Sequence, residues 1–125
     1  MHQPLFRERV LAAHGQRCAI CRIRHRPLLH AAHIRSDSDG GEPIVTNGLA
    51  LCSIHHGAYD ANLLGIDSDA RLHIRRDLLA EIDGPMLEHG FKDLDGIALT
   101  APTQRAARPD RDLLAERYDA FLAAG

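Results

Sequence analysis

Hydrophobic and polar positions recur along this chain with periods that change from one stretch to the next, and those changes mark out its elements. After Pro4, the apolar residues Leu5, Phe6, Val10, Leu11 and Ala12 fall at helical spacing, and Gly15 supplies a C-terminal stop, which predicts a first helix. Residues 18–24 read as a tight turn. Residues 28–34 form a short apolar run suited to a strand, with His30 and His33 embedded in it. Gly40, Gly41 and Pro43 make residues 36–46 a loop. A second strand is expected over 47–51, and Cys52 leads into a short helix ending near Asn62. Beyond it, residues 63–67 and 71–75 flank Ser68, Asp69 and Ala70 as a hairpin. Gly84, Pro85 and Gly90 break residues 76–100, where a strand at 97–100 is the regular element expected. Residues 103–109 read as a linker. Asp110 then caps a last helix whose Leu113, Leu114, Arg117, Tyr118, Phe121 and Leu122 share an apolar face. No repeat is apparent, and short strands mixed with helices place the chain in the α+β class.

Composition bounds this picture. At 125 residues the chain fits one domain, 1–125. Aromatic residues make up 4% and Trp is absent, so aromatic packing supplies little of the core. No apolar run approaches the roughly 20 residues needed to cross a bilayer, so no membrane partner is expected. The first residues lack an apolar signal segment, and a cytoplasmic location is expected. The net charge of −2 hides an asymmetry: residues 1–36 hold seven Arg against Glu8 alone, and the remainder is acidic. A basic surface for a polyanion and a merely solvated basic helix and loop fit that asymmetry equally well.

Three Cys and nine His alter the picture more. An odd thiol count fits poorly with a closed disulfide framework. Cys18 and Cys21 form a C-x2-C pair, and Cys52 and His55 form a C-x2-H pair. Each spacing lets two ligands on one turn face the same ion, and two such turns close a tetrahedral Cys3His site. Thiolate and imidazole favour Zn2+ over Mg2+, and four protein ligands leave no open position, so the zinc expected here is structural.

A second group has different chemistry. On a strand, His33 faces one side while His30 and Ala32 face the other. His56 and Asp60 are spaced to share a face of the following helix. His30, His56 and Asp60 are therefore expected to converge on a catalytic divalent ion with an open, partly oxygen-rich shell. A neutral imidazole that takes a proton from an attacking water suits His33, and the Asn47 amide suits fixing that ring or its supporting loop.

The segments CAIC at 18–21, LLHAAHI at 28–34 and NGLALCSIHHGAYD at 47–60 resemble the HNH nucleases. The resemblance implies a ββα-metal core over about 16–62 carrying the zinc knuckle, with an N-terminal helix and a hairpin-plus-helix extension at 63–125. It implies that His33 is the general base, that Asn47 positions it, and that His56 is a catalytic metal ligand, with Asp60 a further ligand. Many members carry Asp or His just before the base. Here that residue is Ala32, and His30 is expected to take its place. The AAHI strand and HH-x-x-x-D helix, with DGPML at 84–88 and RPD at 108–110, look like a restriction-type branch whose members often carry an upstream DNA reader. The likeness leaves open that the chain is the C-terminal domain of a longer protein.

The expected function is a DNA endonuclease or nickase using Mg2+, Mn2+ or Ni2+, with homodimerisation left open. The alternative is a catalytically silent, zinc-stabilised DNA-binding module.

Overall fold

A computed structural model describes residues 3–125 of the chain. Its first helix, α1 (Gln3–Ala13), buries Phe6, Val10 and Leu11 and ends at Gly15 and Gln16, both left-handed (φ 67° and 59°). It packs on an antiparallel hairpin of β1 (Leu29–His33) and β2 (Gly48–Cys52), in a register that sets His33 against Gly48 and Leu29 against Cys52. Helix α2 (Ser53–Asp60) follows β2 without a loop, because Cys52 serves as its N-cap and accepts a hydrogen bond from the His55 N–H.

The two faces of the hairpin go to different helices. Gly48 lies against Val10 and Phe6 of α1, whereas His30 meets His56 of α2. This is the period-two alternation expected of a strand.

The remaining residues form β3 (Leu64–Ile66) and β4 (Leu72–Ile74), paired antiparallel, then α3 (Arg76–Ala80), α4 (Pro85–Gly90) and α5 (Arg111–Ala124). Two expectations are corrected here. Gly84 and Pro85, read as a break, start α4, because proline suits the first turn of a helix. The strand expected at 97–100 shrinks to one bridge between Arg71 and Ala98. Gly96 turns the chain just before it (φ 86°), and the Thr100 N–H turns away to the Ala19 carbonyl.

Asp110 caps α5 by accepting from the Asp112 and Leu113 N–H groups. Of the face expected on this helix, Leu114 and Phe121 are buried and Leu122 is exposed. Phe121 lies so close over Gly65 of β3 that a Cβ there would clash. One buried apolar cluster runs from Phe6, Val10 and Leu11 through Leu29, Leu49, Leu51 and Tyr59 to Leu64, Leu72 and Leu114. Among the described residues, no helix is long and apolar enough to cross a membrane.

Candidate functional site

Cys18 and Cys21 sit on a turn closed by the Cys18 N–H to the Ile23 carbonyl at 2.9 Å and the Arg22 N–H to the Cys18 carbonyl at 3.0 Å. Arg22 is left-handed there (φ 71°), which bends the chain back under the sulfurs. Cys52 and His55 occupy the cap and first turn of α2. The structure brings all four together: their donor atoms lie within 4.8 Å of one another. Cys21 Sγ is 3.9 Å from Cys52 Sγ, and His55 Nδ1 is 3.8 Å from Cys18 Sγ and 3.3 Å from Cys52 Sγ. A tetrahedral zinc with ordinary bond lengths sets its ligand atoms about 3.6–3.8 Å apart, so this cluster fits that ion.

The surroundings agree with a cation at this point. The Cys21 and His55 N–H groups point at the Cys18 and Cys52 sulfurs, each at 3.5 Å. His55 is 2% exposed, and its Nε2 donates to the Gly90 carbonyl at 2.7 Å, which leaves Nδ1 free as a ligand. Burial alone would lower the His55 pKa, but without an ion the Cys18 and Cys52 sulfurs outweigh it and push the ring up to about 10, so they draw a proton to Nδ1, the position a metal ion would take instead. Hydrogen bonding with Cys21 and Cys52 pulls the Cys18 thiol down, and contact with Cys18 pushes Cys21 up. Three thiolates this close ionise together when a cation offsets their repulsion.

The second group is arranged as a hydrogen-bonded chain. His30 Nδ1 and His56 Nδ1 are 2.7 Å apart, with the rings edge to face. The other nitrogen of His56, Nε2, is 3.2 Å from Asp60 Oδ2, and that of His30 is 3.3 Å from Ser53 Oγ. Donor type and proximity suit a divalent ion with an open shell. Two nitrogens on one ion need about 3 Å between them, and Asp60 faces the far edge of the His56 ring. Holding an ion therefore requires these rings to part and Asp60 to turn. Among the described residues, the cysteine cluster is the grouping whose donors already stand at metal-ligand spacing. Burial is the main influence lowering the His56 pKa; Asp60 opposes it, and charge on His30 or His33 would lower it further. Burial thus favours the neutral His56 ring, the form that binds metal or accepts a proton.

His33 belongs to the opposite face of β1. Its ring stacks on Phe6 of α1 with centroids 4.4 Å apart and planes 20° from parallel. It is half-buried, and it lines a cleft of about 630 Å³ together with Arg35, Ser36, Asp39, Asp60, Glu116 and Arg117. His33 and Asp60 therefore open onto one space. A larger cavity, about 930 Å³ beside His73 and Tyr118, is lined by none of the candidate metal or catalytic residues.

Asn47 is 1% exposed, and its side-chain hydrogen bonds go to backbone groups rather than to the His33 ring. Its Oδ1 accepts from the Arg35 N–H at 2.8 Å, and its Nδ2 donates to the Arg35 and Glu42 carbonyls at 3.0 and 2.9 Å. The amide thus ties down the chain just past His33. Ala32 is fully buried against the core and offers the site nothing.

Sequence reasoning missed several contributors. Phe6 reads in the sequence only as an apolar position of the first helix, yet its ring stacks on His33. Gly41 reads as a loop glycine, yet a Cβ there would collide with the Arg35 carbonyl. Arg35 forms a two-pronged bridge with Glu116 of α5, at 2.8 and 3.0 Å. Residues so far apart in the chain carry no local signal for such a meeting.

Comparison with known proteins returns two findings. Residues 18–67 match the family model of the HNH endonucleases. The fold is similar to that of a solved structure titled "Modification dependent TagI restriction endonuclease", with a TM-score of 0.60 and 19% identity. That likeness covers 90% of this chain and 36% of the other, so this chain spans about a third of that protein's length. No curated protein matches the sequence.

Proposed function

We propose, from the premise that this chain carries an HNH endonuclease domain over residues 18–67, that it hydrolyses phosphodiester bonds in DNA with His33 as general base. The observation that carries the reading is the shared cleft. His33 and Asp60 open onto it inside the matched segment, beside a separate cluster built for zinc.

The residues divide the work as follows. Stacking on Phe6 holds the His33 ring flat against α1, so its free edge meets the cleft. There it takes the proton of an attacking water, for which the neutral ring is needed. Asn47 keeps the backbone beyond His33 from drifting. His30, His56 and Asp60 would hold a divalent ion such as Mg2+, Mn2+ or Ni2+, which supplies charge stabilisation to the phosphate and the leaving oxygen. Cys18, Cys21, Cys52 and His55 hold structural Zn2+ and take no part in the chemistry. The likeness to a modification-dependent restriction enzyme supports DNA as substrate, and a reader of sequence or base modification elsewhere in a longer protein.

The test is a cleavage assay on supercoiled plasmid, plain and base-modified, with zinc-loaded protein and each of the three ions. Metal-dependent nicking or linearisation is expected, falling about 10²–10⁴-fold on His33→Ala with the fold intact. No cleavage in any combination, or equal cleavage by the variant, would sink the proposal.

A second reading has one observation in its favour. The position before His33 is a buried Ala32, and His30 and His56 bond to each other. A zinc-stabilised DNA-binding module without catalysis accommodates both facts. Metal titration separates the two readings: the module holds one tight ion, and the enzyme holds a second, weaker one.

A further inference from the structure

The cleft contains a pair that the nuclease reading does not use. Arg35 lies two residues beyond His33, and its backbone is fixed on both sides by Asn47. Its guanidinium is held by Glu116, from near the end of the chain: Nε donates to Oε2 at 2.8 Å and Nη2 to Oε1 at 3.0 Å. Both side chains are exposed, and both line the cleft with His33 and Asp60. The carboxyl of Glu116 is held below the usual range by its bond to Arg35, so it stays ionised as pH falls toward the ordinary carboxylate range. The neighbouring cation, Arg117, is engaged by the Tyr59 carbonyl at 2.6 Å and Asn62 Oδ1 at 2.7 Å, and it lies over the Tyr59 ring. Arg35 is thus the cation whose partner is another solvent-facing side chain rather than the fold itself.

Two carboxylate oxygens meeting a guanidinium side-on present the pattern that the two non-bridging oxygens of a phosphodiester present. An exposed ion pair contributes little to stability, so its anion is readily exchanged. We infer that Arg35 binds a backbone phosphate of the DNA strand entering this cleft, and that Glu116 occupies the phosphate's place until DNA displaces it. The basic N-terminal third then has a definite point of use, and α5 acts as a latch on the substrate channel. This rests on the reading of the cleft as a DNA site.

The experiment measures binding of a fluorescent mixed-sequence DNA duplex to zinc-loaded protein, without added divalent metal, across a salt series. Four proteins are compared: wild type, Arg35→Ala, Glu116→Gln and the double variant, each checked for fold by circular dichroism. Arg35→Ala should weaken binding and reduce the log–log salt slope by about 1, the signature of one lost phosphate contact. Glu116→Gln should tighten binding about 3- to 10-fold in the wild-type background, and by much less once Arg35 is gone. Equal tightening in both backgrounds would mean only a lost negative charge and would overturn the inference, as would weakening by Glu116→Gln. Plasmid cleavage by the same wild-type preparation separates the two claims. Coupled binding without cleavage removes the nuclease reading and keeps this one, cleavage without coupling does the reverse, and a protein that neither binds nor cleaves overturns both.

Discussion

A carboxamide whose donors and acceptor are all committed to backbone, as at Asn47, turns a loop into a fixed support. Gly41 completes that support from the other side. Its N–H bonds the Ser36 carbonyl at 2.8 Å, and its Cα passes the Arg35 carbonyl with no room for a methyl group. The atoms in the way are backbone, so they cannot swing aside. Gly41→Ala should therefore cost about 1–3 kcal/mol in urea unfolding. It should also lower plasmid cleavage about 10- to 100-fold at temperatures where the protein stays folded, because the chain just past His33 must shift. Unchanged cleavage would detach this loop from the site.

His14 makes a different residue-level prediction. It is buried with no hydrogen-bond partner for either ring nitrogen, although the backbone of Gly48 and Thr100 lies close enough to favour the charged form. Burial prevails and lowers its pKa from the ordinary 6.5. With the folded value depressed, the unfolded chain takes up a proton first as pH falls. Stability from this residue is complete above about pH 6.5 and declines below it. Replacing His14 with Leu should flatten the fall in unfolding free energy between pH 7.5 and 5.5, and an identical pH profile would remove the residue from the account.

At the scale of elements, α1 is more than a lid on the hairpin. Phe6 is its contact with the His33 ring, and the glycine at 48 lets the helix come close enough to make it. Phe6→Leu keeps most of the buried area, with an expected stability loss below about 1.5 kcal/mol. Yet it removes the flat surface that orients His33. Single-turnover cleavage should fall several-fold while DNA binding stays constant; a fall in binding alone would contradict a positioning role. Such element-scale dependence marks where the sequence stops being informative. The meeting of three cysteines and a histidine is legible because C-x2-C and C-x2-H are local spacings that one turn satisfies. The opposite orientations of His30 and His33 followed from strand periodicity, and the cap at Asp110 from its side chain. The stacking of Phe6 on His33, the Arg35–Glu116 bridge and the hydrogen-bonded order of His30, His56 and Asp60 depend on how elements dock. Periodicity predicts which face a residue takes and is silent on what meets it there.

At the scale of the molecule, the cysteine cluster ties together parts of the chain that share little else. Residues 18–21 and 52–55 meet in it, and His55 carries the tie on to α4 through the Gly90 carbonyl and an edge contact with Phe91, ring centroids 5.3 Å apart. The Thr100 N–H bonds the Ala19 carbonyl inside the same turn, so the extension is fastened there as well. Zinc bound only by the folded arrangement adds its binding free energy to folding, about 2.7 kcal/mol at 100 times the dissociation constant. Removing it with a chelator at neutral pH should lower the thermal midpoint, and Cys18→Ser should do the same in the presence of zinc. Hydrogen exchange should then show protection lost first around residues 18–24, the start of α2 and residues 88–92. The β3–β4 hairpin under α5 should hold longer, because α5 packs on β3, with Phe121 over Gly65, away from the cysteine cluster. The pattern discriminates: uniform loss would make the metal a global requirement, and an unmoved midpoint after complete zinc removal would deny it any structural part. His33→Ala, which breaks no ligand, should leave the same exchange map as the wild type, and on that contrast the division between a metal that holds the fold and a site that cuts stands or falls.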